Sequence, residues 1–201
     1  MRGGRIANRP GDPFHARMPR VASGEEILTV GHSNHEERHF IELLRGAGVE
    51  LLVDVRANPR SRYEHFNRSP LAGSLQAAGI GYEWLGERLG GRRSPAPDSA
   101  NTAWEDEAFR GYADHMASEE FASGLARLEE LAAARRVALM CAEGDWTQCH
   151  RRLISDALVA GGHRVLHLGP EGGLSEHQLS PALVIQDGAI GYPEVQTSLD
   201  L

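Results

Sequence analysis

Val137-Ala138-Leu139-Met140-Cys141 is an apolar run too short for a helix and unbroken by any polar side chain. Such a run reads as a strand buried on both faces, the kind found in parallel sheets covered by helices. Leu51-Leu52-Val53-Asp54-Val55 and Arg164-Val165-Leu166-His167-Leu168 repeat the pattern, and Ile27-Leu28-Thr29-Val30 is a shorter copy ending at Gly31. A further strand is expected over 80–85, and a short edge strand over 183–185.

Between these strands the apolar period changes to that of helices. Residues 36–45 place Phe40, Ile41, Leu43 and Leu44 on one side, with Gly46 and Gly48 as the stop. Ser69-Pro70 predicts a helix to about residue 78, with Ser as cap and Pro in the first turn. Helices are expected over 104–117, over 119–134 and over 148–160, the second with Phe121, Leu125, Leu128 and Leu131 on one face. Residues 86–102 carry Gly, Pro and Ser without a period and predict a long surface loop, of the kind used as a lid or binding loop. Alternating strands and helices imply right-handed crossovers. The expected fold is therefore α/β: one domain with a mainly parallel, doubly wound sheet and helices on both faces, Rossmann-like but without a dinucleotide motif.

At 201 residues the chain is long enough for one good core. No run approaches the length of a membrane-spanning helix, so no membrane partner is expected. Residues 1–24 read as a flexible basic tail ahead of a single domain over 25–201. That tail lacks the apolar core of a secretory signal, and two cysteines make no disulfide framework, so a cytoplasmic setting is expected. Acids outnumber bases by 28 to 21, and every base is Arg. Five of those arginines lie in the first twenty residues, so the remaining body is strongly acidic. Such a body repels a phosphate backbone at long range, which counts against sequence-blind nucleic-acid binding by the whole surface.

In a sheet of this kind, ligands bind beyond the carboxyl ends of the strands. That rule selects Gly31-His32-Ser33-Asn34, the loop from Arg56 to Arg62, Cys141-Ala142-Glu143, and Cys149-His150-Arg151-Arg152. Cys149 is expected in the first turn of its helix, where the dipole and the neighbouring cations favour a thiolate. Such a thiolate is a nucleophile or a metal ligand. The spacing Cys-x7-Cys-His matches neither a zinc finger nor a Cys-x-x-Cys redox pair, and Thr147 stands where a phosphatase loop needs Arg. A metal site drawing on Cys141, Cys149, His150 and His32 is the lesser alternative, and no metal is assigned. Arg56, Arg60 and Arg62 offer planar forks suited to phosphate or carboxylate, although Asp54 could hold Arg56 in a structural ion pair. His32, after a strand, has the chemistry of a general base. No cofactor is expected: there is no Gly-x-Gly-x-x-Gly after a strand, and without Lys no P-loop.

These residues resemble one known family. Thr29-Val30-Gly31-His32-Ser33-Asn34, then Val53-Asp54-Val55-Arg56 with Pro59 and Ser61, is similar to its N-terminal signature. Gly79-Ile80-Gly81-Tyr82 with Leu89-Gly90-Gly91 is similar to its middle. Met140-Cys141-Ala142-Glu143 with Cys149-His150-Arg151-Arg152 is similar to its C-terminal signature. The family is the bacterial domain-of-unknown-function family numbered 488, and the resemblance spans about residues 27 to 180. It implies a single cytosolic α/β domain and no settled activity. It points to His32, Ser33, Asp54, Arg56, Pro59, Ser61, Cys141, Glu143, Cys149, His150 and Arg151, and also to His177.

Three functions compete at this point. The first is a hydrolase or transferase acting on a small phosphorylated or nucleotide-like anion. Its expected catalytic residues are His32, Cys141, Glu143 and Cys149. Ser33, Asp54, Arg56, Arg60, Ser61, Arg62, His150 and Arg151 are expected to bind substrate. The second is a nucleic-acid module using the arginines from Arg56 to Arg68. The third is a metal or redox site on the two cysteines. The first predicts that His32, Arg56, Cys141 and Glu143 share one cleft, beside the first turn of the helix carrying Cys149.

Overall fold

The buried strands assemble as their patterning requires. In the computed structural model, which describes residues 24–186 and 188–194, the main sheet has six strands. They are β1 (Glu26–Gly31), β2 (Leu51–Asp54), β3 (Gly81–Trp84), β4 (Val137–Cys141), β5 (Arg164–Leu168) and β6 (Leu174–Glu176), in the order β3-β2-β4-β1-β5-β6. All pairings are parallel except β5 with β6. Alternate residues sort cleanly to two cores. Leu28, Val30, Leu52, Ala138 and Met140 face one side, packed against α1 (Glu37–Gly46) and α2 (Arg68–Ala77). Ile27, Val53, Val137 and Leu139 face the other. There they meet α4 (Glu107–His115), α5 (Glu119–Ala134) and α6 (Arg151–Gly161). The domain is α/β, with helices on both faces, and none of its described helices is long and apolar enough to cross a membrane.

Several helix starts differ from expectation, each for a local reason. α2 begins at Arg68, so Ser69 lies inside its first turn. Asn67 holds the cap position, but its side chain accepts instead from the Ser61 N–H at 2.8 Å. α4 begins at Glu107 because Asp106 accepts from the N–H groups of Ala108 and Phe109. α5 starts as expected, with Ser118 capping Phe121. The expected helix over 148–160 is divided: a 3₁₀ turn at Trp146–Gln148 precedes α6, which starts only at Arg151.

The loop over 86–102 is not a free lid. It opens with a one-turn helix, α3 (Gly86–Leu89), and is then pinned to α4. The Asp114 carboxylate accepts from Ala96 N, Ser99 Oγ and Asn101 Nδ2, while Asn101 Oδ1 accepts from Tyr192 N. The expected edge strand near 183–185 is β7 (Val184–Gln186), and it joins no main sheet. It pairs only with β8 (Ala189–Gly191), as a separate hairpin. β6 escapes a reading by pattern because its three residues are all exposed. The proposed tail over 1–24 lies outside the described residues except for Gly24.

Candidate active site at the carboxyl edge of the sheet

β4 lies between β1 and β2, and the chain leaves these three strands toward opposite faces of the sheet. β1 and β2 lead to α1 and α2 on one side, whereas β4 leads to α6 on the other. Where neighbouring strands diverge in this way a crevice opens at their carboxyl ends. A cleft of about 330 Å³ lies there. Its walls come from the loop after β2 (Arg56, Asn58, Arg60), the strap after α3 (Gly91, Arg92), and the β4–α6 segment (Cys141, Glu143, Gln148, Cys149, His150).

The floor is a sulfur–imidazole cluster. His150 Nε2–H donates to the Val55 carbonyl at 3.0 Å, which turns Nδ1 toward the sulfurs. That nitrogen faces both sulfurs, Cys149 Sγ at 3.6 Å and Cys141 Sγ at 3.7 Å. Cys149 is not in a helical turn, as the sequence suggests, but in an extended link ahead of α6, with His150 in the cap position. The thiolate is nevertheless favoured there. The hydrogen bond from Cys141 pulls the Cys149 thiol well below its ordinary value against burial, with help from His150 and Arg151. Cys141 is pushed the opposite way, because it supplies that hydrogen bond and is itself buried.

Arg56 stands at the edge of this floor, but most of its fork is already committed. Nε and NH2 bind Asp54 side-on at 2.9 and 2.6 Å, and NH1 donates to His32 Nε2 at 3.2 Å. Burial opposes the guanidinium charge, and the hydrogen bonds and attraction from Asp54 outweigh it, so its pKa is raised. Two of its five N–H groups are left without an acceptor among the described residues, and Arg56 is one of the residues that line the cleft. The ion pair with Asp54 that sequence alone could only suggest is present and buried.

His32, expected as a base, stands outside the cleft lining with both ring nitrogens engaged. Its Nδ1–H donates to Ser33 O at 3.0 Å, its Nε2 accepts from Arg56, and its ring stacks on Phe66. Burial and then Arg56 lower its pKa to about 4. It is a neutral support for Arg56, and its ring nitrogens are not among the donor atoms that gather with the two cysteines. Arg56, Arg60, Cys141, Glu143, Cys149 and His150 come together in the cleft; His32, Ser33, Asp54, Ser61, Arg62 and Arg151 do not line it. Ser61 lines a second, adjoining depression that shares Asn58 and Arg60. Arg62 lies over Tyr63. Arg151 is buried under the site, where it binds the carbonyls of Glu143 and Gly144 and the hydroxyl of Thr29.

Arg92 is the cleft residue that the sequence reading missed. Its backbone has φ of +63°, and the only other non-glycine residue among those described with positive φ, Ser33, is also at this edge. Left-handed backbone at a non-glycine residue costs about 1–2 kcal/mol, and such strain clusters at ligand sites. Gly91 before it lets the strap approach the floor: a Cβ there would sit 2.9 Å from His150 Nδ1, and the ring would have to shift. The block Leu89-Gly90-Gly91 was the available signal for both positions.

His177 belongs to a different construction, a buried chain leading away from the cleft. Arg151 NH1 donates to Thr29 Oγ1 (3.3 Å), which donates to His167 Nδ1 (2.7 Å). His167 Nε2 then donates to His177 Nδ1 (2.9 Å), and His177 Nε2 to Asp156 Oδ1 (2.9 Å). Asp156 also accepts from Tyr192 and from the Ser180 backbone. Trp146 stacks on His167 with ring centroids 4.0 Å apart. The chain ties β1, β5, α6 and the β8 segment to the loop that carries Glu143.

Fold and site together define a doubly wound α/β domain with a thiol–imidazole cluster in an arginine-walled cleft at its switch point. A model of the family described as "Domain of unknown function DUF488" matches residues 37–158, and the chain belongs to that family. No curated protein and no solved structure matches it.

Proposed function

We propose that the cleft is the active site of a hydrolase or transferase that acts on a small phosphorylated or nucleotide-like anion. The observation that carries this reading is the meeting of unpaired arginine forks with a reactive sulfur–imidazole floor in one cavity. Arg60 and Arg92 line the cleft and pair with no carboxylate among the described residues, whereas Arg127, on α5, is held by Glu83 and Glu130. Arg56 also lines the cleft and keeps two N–H groups without an acceptor among the described residues. An anion held by these three groups lies over Cys141, Cys149 and His150, where either a thiolate or an ion it holds can act on it.

A nucleic-acid strand is the second reading, drawn from the arginines and aromatics beside the cleft. Arg62 lies 4.9 Å from the Tyr63 ring and Arg68 4.6 Å from the Trp84 ring, so these faces are taken by arginine and are not open platforms for bases. Calorimetric titration with inorganic phosphate, pyrophosphate and adenosine monophosphate separates the readings. Arg60→Ala and Arg92→Gly are each expected to weaken binding about tenfold, as for a lost charged hydrogen bond. Arg127→Ala should leave it unchanged. Arg92→Gly also relieves a left-handed backbone, so its thermal stability should not fall with its affinity. Equal effects at Arg92 and Arg127 would remove the cleft from consideration. A steep fall in affinity with salt for an oligonucleotide, with no binding of the small anions, would favour the strand.

A further inference from the structure

The cluster on the cleft floor has the geometry of a coordination site. Zinc binds sulfur at about 2.3 Å and imidazole nitrogen at about 2.0–2.1 Å, so a tetrahedral ion separates such ligands by about 3.6 Å. The Nδ1–Sγ separations at His150 are 3.6 and 3.7 Å, and the three donor atoms all lie within 4.8 Å of one another. Second-shell support is in place as well. A ligating imidazole characteristically donates its other N–H to a carbonyl or carboxylate, and His150 does so to Val55 O, just past the end of β2. The donors are held by ordered elements, since Cys141 ends β4 and His150 caps α6.

We propose that Cys141, Cys149 and His150 bind a zinc-class divalent cation, with the fourth coordination position open to the cleft. Two thiolate sulfurs and one imidazole suit a borderline-soft ion and not magnesium or calcium, which need oxygen donors. Three protein ligands with one position left open is the arrangement of catalytic zinc, whereas structural sites close with a fourth residue. Glu143, the nearest acid in sequence, is exposed and is not part of the cluster. The spacing Cys-x7-Cys-His hides the site from sequence because two ligands are adjacent. They converge only because Cys149 is extended and His150 is helical. This inference deepens the reading of the cleft as an active site; it rests on that reading for what the ion does, since the open position faces the space where the anion would lie.

The test uses the full chain, reduced and stripped with a chelator, and titrated with Co²⁺ alone. One equivalent should bind, with thiolate-to-cobalt charge-transfer absorption, and Zn²⁺ should displace it. Cys149→Ser and His150→Ala should each weaken binding at least about a hundredfold while circular dichroism confirms folding. His39→Ala, a surface histidine outside the cluster, should bind as the parent does. Absence of stoichiometric binding by the reduced parent chain overturns the site, as does a spectrum without charge transfer or one indifferent to the cluster substitutions. Inorganic phosphate binding to the stripped chain is measured alongside. Phosphate bound without cobalt overturns the metal site alone; cobalt bound without phosphate overturns the functional reading alone.

Discussion

Arg56→Ala should lower the stability of the domain by about 3–5 kcal/mol, the cost of leaving the other half of a buried ion pair uncompensated. Asp54 is fully buried, and Arg56 supplies its side-on guanidinium fork. Without that fork, the remaining donors to the carboxylate are Tyr82 OH and the backbone N–H of residue 56. His32 Nε2 loses its partner at the same time, so a second buried acceptor is stranded. The double change Asp54→Asn with Arg56→Met should cost less than Arg56→Ala, because no charge remains in the core. Urea denaturation of the three proteins measures this. A loss below about 1 kcal/mol for Arg56→Ala would mean that the pair is not structural, and that Arg56 is free to serve the cleft in full.

A comparable loss is expected at the far end of the buried chain. Asp156→Ala strands the donors of His177, Tyr192 and Ser180 together, in a site where all three residues are buried. Each unsatisfied buried donor costs about 1–3 kcal/mol, so a total of at least about 3 kcal/mol is expected. The same chain makes the parent protein sensitive to acid. Burial, the neighbouring His177 and Arg151 hold the pKa of His167 down to about 3. In the unfolded chain this imidazole titrates near its ordinary value of about 6.5. Between those two values the unfolded state binds the extra proton, so stability is highest above about pH 6.5 and declines as the pH falls. The slope from this residue reaches about 1.4 kcal/mol per pH unit. Urea midpoints taken across that window read it directly. A flat profile would show that His167 titrates as it does in water, with the chain open.

Much of the architecture was legible because it depends on local periodicity. Val137–Cys141 and Leu51–Asp54 are buried on both faces, so their unbroken apolar runs could only belong to covered parallel strands. The rule that ligands gather at the carboxyl edge points to loops that in the structure wall one cleft. What the sequence concealed depends on partners far along the chain. His32 reads as a base until Arg56, 24 residues away, is seen to occupy its lone pair. His167, His177, Asp156 and Thr29 form one chain only after β1 and β5 are paired, and each alone looks like an isolated polar residue in an apolar stretch. Asp145 and Thr147 both read as caps, which places Cys149 in the first turn of a helix. The 3₁₀ turn that displaces it is set by Asp145, whose carboxylate accepts from Thr147 N at 2.9 Å. Arg92 had no periodic context at all, since its position is fixed by a strap pinned through Asp114.

An anion held by the arginines over the sulfur cluster should shield both thiols from alkylation. Cys141 and Cys149 are 7% and 3% exposed, and both line the cleft, so a reagent must enter it to reach either thiol. Iodoacetamide labelling of the stripped, reduced protein is followed by mass spectrometry, with and without saturating pyrophosphate. Pyrophosphate is expected to slow labelling severalfold in the parent protein. That protection should disappear in Arg60→Ala and Arg92→Gly at the same anion concentration, while it persists in Arg127→Ala. Labelling at an unchanged rate under saturating pyrophosphate would contradict the account, because the anion would then bind away from the thiols.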